Sequence, residues 1–248
     1  MIIDTHCHIY KNEVKNPDEI IKKAEDSDIY LILNGTDPRS NREVLNLSAK
    51  YDNVYAALGY FHTFADYVSR EDIALIDRQL SDDKVVAVGE IGLDYYRTKD
   101  NKPKQIELFD KMLDLAQNHN LPVIVHSRKA IQDTFDVLKK HDVAGSLHAY
   151  SGSCEMARNF SKSGFFIGVG GTVTHKNNKK VKKSIKEVGI ESIVLETDSP
   201  YLAPEGSEGI NTPLNLKYII EGIACELDLR QSDVVKITTR NARNLFNI

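Results

Sequence analysis

The sequence predicts an α/β protein built as a (β/α)8 TIM barrel, and three observations carry that prediction. Eight short apolar, β-branched runs recur along the chain, segments with helical spacing separate them, and 248 residues is the size of one such barrel. In order, the runs are IIDTHCHI, YLILNG, VYAALGY, KVVAVGE, LPVIVH, GSLHAY, FFIGVGG and SIVLETD. Each is nearly apolar throughout rather than alternating, the pattern of strands covered on both faces of a parallel sheet. Between the fourth and fifth runs, Ile106, Phe109, Leu113 and Ala116 follow a helical step, and Pro103 suits a first helical position, so a helix is predicted from Pro103 to Asn118. After the eighth run, Pro200, Pro204, Gly206, Gly209 and Pro213 read as a loop leading to two C-terminal helices. Ser232 is the expected N-cap of the last helix, with Val234, Ile237, Leu245 and Phe246 turned toward the barrel. A doubly wound open sheet is the alternative, but it would need a glycine-rich phosphate turn after the first strand. That turn here is His8-Ile9-Tyr10-Lys11-Asn12. Residues 1–248 are expected to form a single domain.

With 41% hydrophobic and 27% charged residues, the chain lies outside the composition of disordered proteins and is expected to fold alone. The opening MIIDTHCHIY has no basic segment leading into an apolar run and cleavage site, and no run approaches the roughly 18 apolar residues of a membrane span. A cytoplasmic protein with no membrane contact and no obligate protein partner is therefore expected. Cys7, Cys154 and Cys225 are odd in number and contain no CxxC pair, which argues against a disulfide framework or a thiolate zinc site. They are expected to be small buried residues. A net charge of -4 argues against a broadly basic nucleic-acid surface, although a bound pair of divalent cations would reverse the potential inside a cleft.

The strongest local signal is Asp4-Thr5-His6-Cys7-His8. Side chains alternate along a strand, so His6 and His8 converge on one side while Cys7 points away, and two imidazoles so placed can chelate one metal. Glu90, His126, His148 and Asp198 fall at or near the ends of four more apolar strands, the catalytic end of a barrel. A buried charge or imidazole is costly unless paired or coordinated, so five such strand ends are poorly explained by packing alone. Six ligand-type side chains exceed the needs of one open tetrahedral ion and suit two ions sharing a carboxylate, with Glu90 as the bridge. Asp198 can then serve as general base. Glu196 shares the interior side of its strand and is expected either to orient a ligand or water, or to pair with a lysine or arginine across the barrel.

Together these stretches resemble the TatD family of metal-dependent deoxyribonucleases, within the amidohydrolase-like barrels. The resemblance spans nearly the whole chain and rests on DTHCH at 4–8, GEIGLDYYR at 89–97, HSRKA at 126–130, LHAYSGS at 147–153, GFFIGVGG at 164–171 and ETDSPYLAP at 196–204. It implies one divalent ion on His6, His8, Glu90 and Asp198 and a second on Glu90, His126 and His148, the metals being magnesium, manganese or zinc. It also implies exonuclease-type cleavage of DNA phosphodiesters, with DNA or oligonucleotide ends as partners. Two departures stand out. The family's Gly-x-His-Pro-His is Gly59-Tyr60-Phe61-His62-Thr63 here, and its Arg-Asn-Glu-Pro is Ile210-Asn211-Thr212-Pro213. The second removes an arginine and a glutamate from a substrate-side loop but keeps Asn211, which is expected to face substrate.

Arg128 is expected to pair with a substrate phosphate, because guanidinium matches phosphate bidentately. Tyr95, Tyr150 and Tyr201 follow ligands closely and are candidates either for stacking on bases or, equally, for simple cover at the barrel rim. The lysines from Lys176 to Lys186 read either as a phosphate track or, preferably, as the solvated face of a helix with Val181, Ile185 and Val188 inward. The rival functions are an amidohydrolase acting on a small amide, lactone or ester with the same metal pair, and a barrel without turnover.

Overall fold

The structure, a computed structural model, describes residues 1–97 and 100–248. Its strands are β1 (Ile2–Cys7), β2 (Ile29–Asn34), β3 (Val54–Leu58), β4 (Val85–Asp94), β5 (Val123–Arg128), β6 (Gly145–Leu147), β7 (Phe165–Val169) and β8 (Ile193–Leu195). They pair in sequence order and all in parallel, the arrangement expected when a helix carries the chain back after each strand. Those helices are α1 (Pro17–Asp26), α2 (Pro38–Lys50), α3 (Arg70–Gln79), α4 (Lys102–His119), α5 (Ile131–Leu138), α6 (Cys154–Lys162) and α7 (Lys179–Val188), followed by α8 (Leu216–Leu227) and α9 (Gln231–Phe246). The fold is the (β/α)8 barrel with two C-terminal helices.

Closure between the first and last strands lies just beyond β8. Cys7 bridges Ser199, Asp198 N–H donates to the His6 carbonyl at 2.9 Å, and His8 N–H donates to the Ser199 carbonyl at 2.6 Å. The buried Asp4 carboxylate fastens the same seam by accepting from the Thr197 N–H at 2.9 Å and the Thr197 hydroxyl at 2.5 Å. Both segments that carry ligands are thus held in register by a buried carboxyl group whose hydrogen bonds the fold supplies internally.

Two apolar layers surround the strands. The larger lies between sheet and helices and includes Cys7, Leu31, Phe109 and Ile185. The smaller takes Ile3, Ile32, Ala57, Val86, Ile124 and Val194 from six strands and is completed by Ala242 and Phe246 of α9. The Thr239 hydroxyl of α9 reaches the Met1 carbonyl, so this helix covers the end of the barrel where strands begin and leaves the other end open.

Local details differ from the sequence reading where tertiary contacts decide them. Helix α4 runs Lys102–His119, bracketing the predicted 103–118, but Ile106 is only partly buried while Leu108 and Met112 share the core face. The N-cap of α9 is Arg230 rather than Ser232; Arg230 pairs with Asp233 at 2.7 Å, and Ser232 lies inside the helix. Val234 and Phe246 are buried as expected, whereas Ile237 and Leu245 are half-buried and Thr238 and Asn241 take the inner face. Only Cys7 of the three cysteines is buried; Cys225 is exposed. In α7, Val181 and Ile185 are buried and Lys182 and Lys186 both pair with Glu226, the solvated-face arrangement. Among the described residues, no helix is long and apolar enough to cross a membrane.

Candidate metal centre

Alternation along β1 does what the sequence requires. Cys7 leaves the barrel interior, with Sγ 3.8 Å from the Ile32 carbonyl, while His6 and His8 bring their Nε2 atoms to 3.0 Å from each other. His8 Nδ1 lies 2.9 Å from the Asn34 carbonyl, which can only accept, so Nδ1 carries the proton and Nε2 the lone pair. Glu90 Oε2 stands 3.6 Å and 3.4 Å from the Nε2 atoms of His6 and His8, and Asp198 Oδ1 stands 3.6 Å and 3.7 Å from them. The other Glu90 oxygen faces elsewhere: Oε1 is 3.1 Å from His126 Nδ1 and 3.8 Å from His148 Nε2. Ligands about 2.1 Å from a tetrahedral ion lie roughly 3.4 Å apart, so both groups have the spacing of a coordination shell.

The chemistry of the donors points the same way. His126 Nε2 is 3.2 Å from Asp94 Oδ2 and donates to it, which turns the Nδ1 lone pair toward Glu90 Oε1. A lone pair and a carboxylate oxygen 3.1 Å apart repel unless a proton or a cation lies between them. The residues present therefore fit divalent ions. Asp94 is itself fixed, its Oδ1 accepting from the backbone N–H of Tyr96 and Arg97 at 2.8 Å each. Glu196 backs His148 in the same manner, with Oε1 3.2 Å from Nδ1, inside ion-pair range though off the hydrogen-bond axis, and held by the Ala149 N–H at 2.6 Å. No lysine or arginine among the described residues pairs with Glu196.

Two glycines make room for this. A Cβ at Gly92, whose φ is 134°, would lie 2.0 Å from the His126 carbonyl, and one at Gly168 would lie 2.4 Å from Glu196 Oε2. Asp198 and Ala149 hold φ of 57° and 43°, conformations that cost non-glycine residues about 1–3 kcal/mol and that cluster at functional sites.

Electrostatics bind the set together. Burial would neutralise Glu90 and the rings of His126 and His8, yet hydrogen bonds from those two rings in their protonated form hold the Glu90 carboxyl well below the usual range. A cation would take the place of the protons that face it. Burial likewise opposes a charge on His148, but Glu196 and Asp198 push it up to about 10, while burial lifts Asp198 to about 6. His6 is held well below its ordinary value by burial and by His148. A cation entering this ring at neutral pH takes the place of a proton on His148, and metal uptake should release protons and weaken as pH falls toward acid. Calorimetry in buffers of different ionisation enthalpy reads this directly. Binding independent of buffer and of pH contradicts it.

Residues 3–247 match the family model described as TatD related DNase. The chain belongs to the TatD family. It is 36% identical over 254 residues to YabD, an uncharacterized metal-dependent hydrolase of Bacillus subtilis, with 100% of each chain covered. A second relative, the metal-dependent hydrolase MJ1582 of Methanocaldococcus jannaschii, is 33% identical, with 98% of this chain and 96% of the relative covered. The crystal structure of the TatD homologue YjjV from Escherichia coli superposes with a TM-score of 0.93 at 30% identity, covering 100% of this chain and 98% of that one. The chain is a metal-dependent hydrolase of this family, with side-chain groups able to hold metal.

Around the TatD-type centre is an open cavity of about 650 Å³. Arg128 is exposed on its wall, its guanidinium carbon 4.0 Å from the centre of the Tyr96 ring. Two other residues expected at the substrate are placed differently. Tyr150 is buried and its hydroxyl donates to the Ser153 carbonyl at 2.6 Å, because the chain turns sharply after His148 and carries this ring toward α6. Asn211 is buried too; its amide donates to the Thr197 carbonyl at 2.9 Å and to the Tyr201 carbonyl, and accepts from Asn215 at 2.9 Å, so both ends are occupied in bracing the loop after β8. Neither lines the cavity. Tyr95 is also buried, with its hydroxyl on Asp133 at 2.8 Å, whereas Tyr201 stays on the rim and donates to Glu13. Sequence reasoning passed over Asp94 and Arg97, both in the GEIGLDYYR stretch, and Phe61, which occupies the wall at the departure from the family's histidine motif. His62 lies buried beside Phe61, the ring centres 4.1 Å apart.

Proposed function

We propose that this chain hydrolyses phosphodiester bonds at the ends of DNA or short oligonucleotides, using two divalent ions. The observation that carries the proposal is the division of the Glu90 carboxylate, one oxygen toward His6 and His8, which Asp198 also approaches, and the other toward His126 and His148. In this reading His6, His8, Glu90 and Asp198 hold one ion and Glu90, His126 and His148 the other. Magnesium, manganese or zinc held by these residues would polarise a phosphoryl oxygen and lower the pKa of an attacking water. Asp198 receives the proton of that water at its carboxylate. Asp94 and Glu196 keep the imidazoles of His126 and His148 aimed. In this reading Arg128 and Arg97, both on the cavity wall, grip a phosphate next to the one cleaved.

A cavity of about 650 Å³ is within the span of roughly 300–1,000 Å³ typical of small-ligand sites. It suits a terminal nucleotide or a dinucleotide, and the same size supports a second reading, an amidohydrolase acting on a small amide, lactone or ester. End-labelled single- and double-stranded oligonucleotides, a dinucleotide, and a panel of amides and lactones, each tested with magnesium, manganese and zinc, separate the two. Metal-dependent release of nucleotides from an end, with kcat/KM for the dinucleotide close to that for a long strand and little affected by salt, is the expected result. Turnover of amides or lactones with no cleavage of any phosphodiester contradicts it. A large advantage for the long strand that survives high salt and neutralisation of Lys179, Lys180, Lys182 and Lys183 contradicts the preference for short ends.

A further inference from the structure

A further group of ligand-type side chains, His62, Asp94 and His126, comes together beside Phe61, each offering one atom within 4.8 Å of the others, and the Nε2 atoms of both histidines face Asp94 Oδ2. His62 is 1% exposed, and neither of its ring nitrogens has a hydrogen-bond partner. Its Nε2 is 3.7 Å from Asp94 Oδ2, inside ion-pair range but too long for a hydrogen bond. A buried imidazole left unsatisfied at both nitrogens is costly, and it is aimed at a carboxylate oxygen. The separations of 3.7 Å and 3.2 Å about Asp94 Oδ2 are those of ligands around a tetrahedral ion, in which neighbouring donors lie roughly 3.4 Å apart. Asp94 and His126 both line the cavity, so a cation can reach them from there.

We propose that His62, Asp94 and His126 form an inhibitory site for excess zinc or a cation of similar borderline character. Two imidazoles and one carboxylate select such ions over magnesium. The inhibition follows from His126. A neutral imidazole has one lone pair, and in the arrangement described above it is Nδ1 that faces Glu90 and His148. Zinc bound at Nε2 displaces the Nε2 proton, and the ring keeps a single proton by carrying it on Nδ1. That Nδ1–H, 3.1 Å from Glu90 Oε1, becomes a donor to the bridging carboxylate and no longer a ligand of the second ion. Excess zinc therefore switches His126 from one site to the other through its tautomer. The inference extends the two-ion reading and depends on it only for the resulting loss of activity.

The test uses the full-length protein at low and at excess zinc. Anomalous diffraction at the zinc edge should show density at the Glu90 pair at low zinc and a further peak beside His62 at excess zinc. His62→Gln should lose that further peak, keep hydrolysis at low zinc, and need at least about tenfold more zinc for half-inhibition, since even loss of an outer-shell partner costs about 10–100-fold in metal affinity. Wild-type crystals alone decide the matter if the variant folds poorly. Excess zinc that leaves the His62 position empty overturns the inference, as does a His62→Gln enzyme inhibited at the same zinc concentration as wild type. Density missing at the Glu90 pair at low zinc would instead count against the two-ion reading.

Discussion

Glu90→Ala should empty both halves of the metal centre at once and reduce hydrolysis by about a thousandfold or more, because the ions supply several kcal/mol of charge stabilisation and each 1.36 kcal/mol is a factor of ten. The distances make this prediction asymmetric. Glu90 is the side chain that reaches both imidazole groups, Oε2 to His6 and His8 and Oε1 to His126 and His148. His126→Ala touches one half and leaves His6, His8, Glu90 and Asp198 in place. Elemental analysis of the two variants beside wild type should give less metal in Glu90→Ala than in His126→Ala, with circular dichroism showing both folded. Equal metal loss in the two removes the bridging role.

Asp198→Asn should retain the fold and lose roughly a hundredfold or more in kcat, the range for removing a general base. The carboxylate is buried, its pKa is lifted to about 6, and its Oδ1 lies with the Nε2 atoms of His6 and His8. Asparagine preserves the shape and one coordinating oxygen but cannot take a proton at neutral pH. The φ of 57° at this position also favours asparagine over most replacements. Metal content close to wild type with collapsed turnover is the expected pair of results; near wild-type turnover removes Asp198 from the proton-transfer role.

The barrel and the ligand-type residues were legible in the sequence because both follow short periods. His6 and His8 converge, with Cys7 outside, from alternation alone. Glu90 was readable as a residue but not as a position: the expected strand stops there, whereas β4 continues to Asp94, since Gly92 lets its backbone close on that of β5 at His126. With that continuation comes Asp94, which no periodicity marks and whose role depends on facing His126 across two strands. Tyr150 and Asn211 were misplaced for the converse reason. Each is close in sequence to functional residues, but its direction is set by a turn after the strand end and by carbonyls brought in from Ser153, Thr197 and Tyr201. Short-range pattern speaks for strands and says little about which way a loop side chain points.

Anomalous diffraction from crystals equilibrated with manganese at low concentration tests the bridged pair most directly. Two peaks about 3.5–4 Å apart, one on each side of the Glu90 carboxylate, is the predicted result. A single peak held by His6, His8 and Asp198, with the His126 and His148 side vacant under conditions where the enzyme turns over, would contradict it.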